Sequence, residues 1–404
     1  MGTRRRRIMP AKIAGYIITF LIFSNSFAAD EFDKEFEAFQ KSINSQQNNN
    51  QRQSFNNEFD AFLKEAKAQQ QAEAREFANY KREIEKQWDE FRASTKKQWV
   101  DYGNNKSSRS IVDFEKGKVT IEVVLPVQTN KKPSNKQSAE LRLAALKKMK
   151  KQLEKILTDT SSIGGESPIQ NQLKTESGKK LTKKNVENFT KKTLDKKVVV
   201  KNKPFIAKDG TPRIKAQVTV KMVPNHLKIR ADKYRKPVKK YAKQYNVAPS
   251  LVFAVIHTES YFNPKARSPI PAYGLMQLVP SSGGRDAYRK AFGKDKAPSA
   301  SYLYKPNQNI QLGTAYLAVL AGREFKKVTD EKSKTYLMIA AYNTGGGNVS
   351  RAITGNKNIY KASNKINGMS SQQIYSTLVN KLPYDETRQY VKKVTKRQNI
   401  YQNY

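Results

Sequence analysis

Cysteine is absent from this 404-residue chain, and histidine occurs only as His226 and His257. Without a thiol there is no disulfide, no zinc–thiolate site, no sulfur nucleophile and no acceptor for a bacterial lipid anchor. Two histidines exclude a His-rich metal centre and leave a Ser-His-Asp triad poorly supported, so no metal and no cofactor are expected. Acid–base chemistry falls instead to carboxylates and tyrosines. Acidic residues are themselves scarce, 35 against 76 basic ones, which leaves a net charge of +41. Such a surface attracts polyanions. The alternative is a solvated basic face tuned to no partner.

The chain begins like an exported protein. Arg4 to Arg7 and Lys12 precede a short apolar run, Ile13 to Phe23, and Ser26-Phe27-Ala28 offers a small-residue cleavage site. The run is shorter than the roughly 20 residues that span a bilayer, which favours a cleaved signal peptide over an uncleaved anchor. Residues 30–100 contain no proline, and their aromatics fall at helical spacing. Phe32, Phe36 and Phe39 are repeated by Phe55, Phe59 and Phe62 across a Gln/Asn-rich spacer, and Phe77, Tyr80, Ile84, Trp88 and Phe91 extend the stripe. A helical arm is expected, facing either a protein partner or an anionic membrane surface.

From about Ser107 the period changes. Ser110 to Phe114 and Val119 to Leu125, joined by a Gly117-containing turn, read as a β-hairpin. Ser138 to Leu157 reads as a helix with an apolar stripe against a lysine face, and Lys197 to Val200 and Arg213 to Val223 return to strand alternation. Val223-Pro224-Asn225-His226 marks a boundary. Beyond it, short apolar helices alternate with Gly, Pro and Asn punctuation.

Chemistry concentrates in this last part. Pro249 and Ser250 open a helix that is apolar all round from Leu251 to Ile256 and is therefore buried. Glu259 lies at its far end, where the helix dipole and the apolar surroundings both disfavour an ionised carboxylate. A general acid for glycoside cleavage needs that property. By itself Glu259 reads better as a surface residue in the last turn of an ordinary helix. Its company changes the balance: Gly274-Leu275-Met276-Gln277 supplies a tight turn and an amide suited to a sugar acetamide, and Ala341-Tyr342-Asn343 runs into a glycine loop.

These three motifs, in this order and at these separations, resemble those of the lytic murein transglycosylases of the goose-type lysozyme superfamily. The segments Asn309 to Leu317 and Glu386 to Val391 are similar to further family segments, and Ile111 to Glu122 and Met222 to Leu227 are similar to the membrane-bound lytic murein transglycosylase C subgroup. The resemblance runs from about Ser107 to the C-terminus. It implies a mostly α C-terminal lysozyme-like domain (226–404) preceded by a small α+β domain (107–225); the patterning before Ser107, outside the resemblance, adds a helical N-terminal arm (29–106) and a signal peptide (1–28).

The resemblance also implies site residues. Glu259 would be the single catalytic acid/base, with Ser268 hydrogen-bonding near it. Gln277 and Tyr342 would hold the substrate's N-acetyl group, Met276 and Asn343 would shape the cleft, and Glu386 and Tyr390 would line it. Val279 stands where relatives often carry a second methionine. His257 points to another helix face and is expected to be structural. The implied activity is that of a carbon–oxygen lyase acting on peptidoglycan glycan strands in the periplasm. The subgroup is usually lipid-anchored through a cysteine, and this chain has none, so an exported protein held peripherally at most is expected; the lysines lack an aromatic-interleaved motif, so no nucleic acid is expected as partner. The rival readings are a lysozyme-like hydrolase on the same fold and a non-catalytic wall-binding scaffold.

Overall fold

The computed structural model describes residues 75–128, 133–201, 203–269 and 272–404, together with 68, 71 and 72. The signal segment and the Phe36 and Phe59 repeats lie outside the described residues. The chain divides into two units, residues 1–80 and 81–404. In the first, residues 75–80 are helical. The second holds the sheet and the helices that carry the motifs.

Alternating apolar residues build a six-stranded antiparallel sheet from β1 (Gln98–Tyr102), β2 (Ser108–Asp113), β3 (Lys118–Pro126), β4 (Val199–Val200), β5 (Phe205–Ile206) and β6 (Pro212–Lys221). The order is β1-β2-β3-β6-β4, with β5 also on β6. The β2–β3 turn ends at Gly117, whose φ of +59° suits glycine. Val119, Ile121 and Val123 of β3 and Ile214, Ala216 and Val218 of β6 are buried on one face. A fully buried residue of this kind is worth ~1.5–3 kcal/mol over exposure. A one-residue slip would expose the whole row, so burial sets the register that pairs Ile121 with Val218.

That face is covered by α1 (Asn135–Leu157), started by a capping box between Ser134 and Gln137. Its stripe of Ala145, Met149, Leu153 and Ile156 lies in the same core as the strands. The opposite face carries the segment before β1. A helix extending the aromatic stripe through Phe91 is expected there, yet helical structure stops at residue 85. The reason is tertiary: Trp88 is buried beneath the Arg109 guanidinium, 4.1 Å from its ring, and meets Tyr102 edge-on. Phe91 stacks on Tyr102, and the Arg92 N–H donates to the Tyr102 hydroxyl at 2.9 Å. Residues 88–97 are thereby laid across the sheet. The sheet also starts earlier than the sequence suggests, since β1 falls within the segment read as arm.

The second half is helical. Its principal elements are α2 (His226–Lys233), α3 (Arg235–Tyr245), α4 (Pro249–Ser260), α5 (Pro306–Val319), α6 (Glu331–Thr344) and α7 (Asp385–Ile400). They share one core that runs through Val252, Phe253, Ile256, Leu337, Ile339 and Val391. Among the described residues no helix is long and apolar enough to cross a membrane. Arg230 of α2 joins the halves: it is buried and donates to Phe114 O at 2.7 Å, Gln172 Oε1 at 2.6 Å and Tyr261 O at 3.0 Å.

Candidate active site

Helix α4 is buried almost without interruption from Ser250 to Ser260, as its uniformly apolar interior requires. It terminates at Tyr261 and Phe262, both left-handed (φ +52° and +61°), before Asn263-Pro264 prevents continuation. Glu259 is thus carried at the dipole's negative end and is 5% exposed. Burial pushes its carboxyl above the usual carboxylate range, and the nearby Lys96 ammonium and Tyr390 hydroxyl pull it back down. Lys96 Nζ is 3.6 Å from Glu259 Oε2, an ion pair too long for a hydrogen bond, and 3.8 Å from Glu386 Oε1. The Tyr390 hydroxyl is buried and makes no hydrogen bond of ordinary geometry, while its pKa is driven well up, first by burial and then by Glu259.

Ser260, the next residue, ties the helix end to the glycine turn. Its hydroxyl donates to Leu275 O at 2.7 Å, with Ile256 O at 3.0 Å. Gly274 has φ +75°, and a Cβ there would lie 2.4 Å from Leu303 O, so no other residue fits. Asn309 of α5 clamps the turn from within the core. Its Oδ1 accepts the Met276 N–H at 2.8 Å, and its Nδ2 donates to Tyr273 O and Leu303 O. Gln277 is held at φ +48° by side-chain donation to Ala266 O and Gly274 O, which leaves its buried Oε1 without a partner. Such an acceptor is what a ligand amide N–H would satisfy.

Tyr342, near the end of α6, donates its hydroxyl to Met276 O at 2.7 Å. Burial and then Glu259 push its pKa well up, so it stays a neutral phenol. Asn343 Oδ1 accepts from the Thr387 hydroxyl at 2.7 Å, which joins α6 to α7 one residue after Glu386. Glu386 itself is 78% exposed at the start of α7. Met276 is fully buried against Gly313, where a Cβ would meet its sulfur. Ser268 Oγ accepts the Ala272 N–H at 3.3 Å, closing the loop that leads to the turn.

The structure therefore gathers Glu259, Glu386 and Tyr390 around Lys96, and Gln277, Met276 and Tyr342 around the turn. His257 faces away, with its ring nitrogen 3.0 Å from the Tyr401 hydroxyl. Burial, helped by Arg397 and Arg230, pushes its pKa down to about 3. Asp286, a buried carboxylate between the turn and α5, is occupied by Arg323 at 2.9 Å and Arg289 at 3.3 Å. Two participants escaped the sequence reading. Asn309 opens the family-like segment Asn309 to Leu317, yet no local pattern marks its function, because its work is internal to the core. Lys96 is one of 76 basic residues, and no periodicity connects it to Glu259.

Residues 236–365 match the family model described as Transglycosylase SLT domain, and residues 65–233 match that of the membrane-bound lytic murein transglycosylase C N-terminal domain. The helical half with its buried carboxyl is thereby that of a lytic transglycosylase. A membrane-bound lytic murein transglycosylase C from Actinobacillus pleuropneumoniae serotype 5b (strain L20) is 32% identical over 314 residues, 78% of this chain and 82% of the relative. One from Cronobacter sakazakii is 44% identical over 189 residues, 47% of this chain and 52% of that protein. Among solved structures, the 70 kDa soluble lytic transglycosylase from Escherichia coli is 28% identical, with a TM-score of 0.31, covering 42% of this chain and 24% of that one. The chain belongs to the membrane-bound lytic murein transglycosylase C family.

Proposed function

We propose that this lytic transglycosylase cleaves the β-1,4 bond between N-acetylmuramic acid and N-acetylglucosamine with Glu259 as its only acid/base. The supporting observation is the state of that carboxyl: it is buried at the end of an apolar helix, and its protonated form is favoured by burial. Two-carboxylate glycosidases need a second acid across the bond. Here Asp286 is held by two arginines, and Glu386 is exposed and faces the same ammonium as Glu259.

In the first step Glu259 gives its proton to the glycosidic oxygen while the C1–O4 bond breaks, and the muramyl acetamide stabilises C1. In the second, the carboxylate takes the proton of the muramyl C6 hydroxyl as O6 closes onto C1. The products are a 1,6-anhydromuramyl end and a free N-acetylglucosamine 4-hydroxyl, with no water consumed and Glu259 reprotonated. Gln277 Oε1 would accept the acetamide N–H, and the Tyr342 oxygen would border the same group. Met276 and Asn343 would shape this wall, with Ser268 beside the catalytic carboxyl. Glu386 and Tyr390 would line the opposite wall. The family name sets the enzyme at the envelope, and the finer reading is a periplasmic protein peripheral to a membrane.

Digestion of purified peptidoglycan in ¹⁸O-labelled water tests the reaction. Unlabelled anhydromuramyl ends are expected by mass spectrometry, whereas labelled reducing ends would mean hydrolysis. Glu259→Gln is expected to lose at least about 100-fold in turnover, the scale of a general acid; undiminished turnover would remove Glu259 from the role.

A further inference from the structure

Lys96 lies far from the motifs in sequence, yet it reaches Glu259 from the β-sheet half. Both sides of it are anchored. On the N-terminal side, the Thr95 N–H donates to Gln98 O at 2.8 Å, and Thr95 Oγ1 accepts the Lys97 and Gln98 N–H groups. On the C-terminal side, the Phe114 N–H donates to Lys97 O at 3.0 Å. The Lys97 ammonium reaches both oxygens of Glu115 at 2.8 Å. Glu115 in turn accepts from the Tyr261 hydroxyl at 2.6 Å, and that oxygen accepts from Arg397 at 2.7 Å. Tyr261 is two residues from Glu259 and ends the same helix. The backbone that presents Lys96 is therefore bolted to the helix that presents Glu259, and the ammonium, with 36% of its side chain exposed, lies within ion-pair distance of both Glu259 and Glu386.

We propose that Lys96 is a positioning residue of the catalytic cleft, its ammonium offsetting the burial of Glu259 so that one carboxyl can both release and recover a proton within a turnover. The inference rests on the one-acid reading above. The charged and titratable groups facing Glu259 are Lys96 from the segment before β1, Tyr342 from α6, and Glu386 and Tyr390 from α7. Tyr342 and Tyr390 stay neutral and Glu386 is repulsive, so Lys96 is the cation of this group. Without it, burial and Glu386 act together to hold the proton on Glu259. The acid would be weaker, and its carboxylate would be scarce at the moment the C6 hydroxyl must be deprotonated.

The test is the pH profile of kcat/KM on soluble peptidoglycan fragments, for wild type, Lys96→Met and Lys96→Arg. Activity that needs protonated Glu259 falls as pH rises through its pKa, so the alkaline limb reports this group. Lys96→Met is expected to move that limb upward by about one pH unit, the low end for loss of an opposite charge within 4–6 Å. Lys96→Arg is expected to return it toward the wild-type position. Should Lys96→Met be too slow to assay, the Glu259 carboxyl can be titrated by NMR in ¹³C-glutamate-labelled protein, assigned by its loss in Glu259→Gln, and its midpoint should move the same way. A limb and midpoint unmoved in Lys96→Met, or moved as far by Lys96→Arg, would overturn the proposal. An active Glu259→Gln would overturn the one-acid reading instead.

Discussion

Under the proposed one-acid reaction Glu259 would meet opposite demands with a single carboxyl, and the influences on that carboxyl are divided. Burial favours the acid, and Lys96 favours the base. Other buried titratable residues have simpler lives. His257 sits in the same helix, enclosed among Tyr261, Phe262 and Tyr401 with Arg397 nearby, and its pKa falls from 6.5 to about 3. Because the unfolded chain binds a proton below 6.5 and the folded one does not, His257 contributes full stability above that value. The contribution shrinks as pH falls toward 3, by up to about 1.4 kcal/mol per pH unit. Urea midpoints measured from about pH 7 down to about pH 4 should therefore decline, and His257→Gln should flatten that decline. A variant with the same slope as wild type would show that other groups control acid stability.

At the scale of elements, motif and architecture were legible to different degrees. The alternation in Val119 to Leu125 and Arg213 to Val223 and the stripe from Leu141 to Ile156 correspond to β3, β6 and α1, because each period is imposed by burial on one face. The stripe that runs through Trp88 and Phe91 was misleading. Its spacing is helical, but Arg109 and Tyr102 on the sheet offer those rings a better burial than a helix surface does. Met149, fully buried on the sheet-facing side of α1, tests how much this packing contributes. Met149→Ala should destabilise by about 2–5 kcal/mol, read as a lower denaturant midpoint with an unchanged m-value. A loss under about 1 kcal/mol would mean that the α1–sheet interface relaxes around the gap.

At the scale of the molecule, the two halves meet through polar groups that neither half needs alone. Arg230 is the clearest case: it carries a buried charge whose pKa burial pushes down to about 9, and it is sustained by acceptors from β2's following turn, from the segment after α1 and from the end of α4. Removing it as Arg230→Ala strands these acceptors and should cost about 3 kcal/mol. The same lesion should loosen the path from Glu115 through Tyr261 to the helix that carries Glu259. Faster limited proteolysis around residues 222–226 together with reduced turnover is the expected signature. Proteolysis and turnover both at wild-type level would show that the joint is held elsewhere.

What the amino-acid sequence determined by itself is local or periodic. It set the apolar helix that buries Glu259, the glycine that alone fits the turn before Gln277, and the order of the motifs that mark the family. Such features are legible because each follows from steric or burial rules acting within a few residues. The tertiary structure alone decided which of many lysines stands beside Glu259, which asparagine locks the turn, and that Asp286 is already engaged by arginines. Those choices depend on distances between segments remote in the chain, and electrostatic influence on a buried acid depends on that separation and on the water excluded between them.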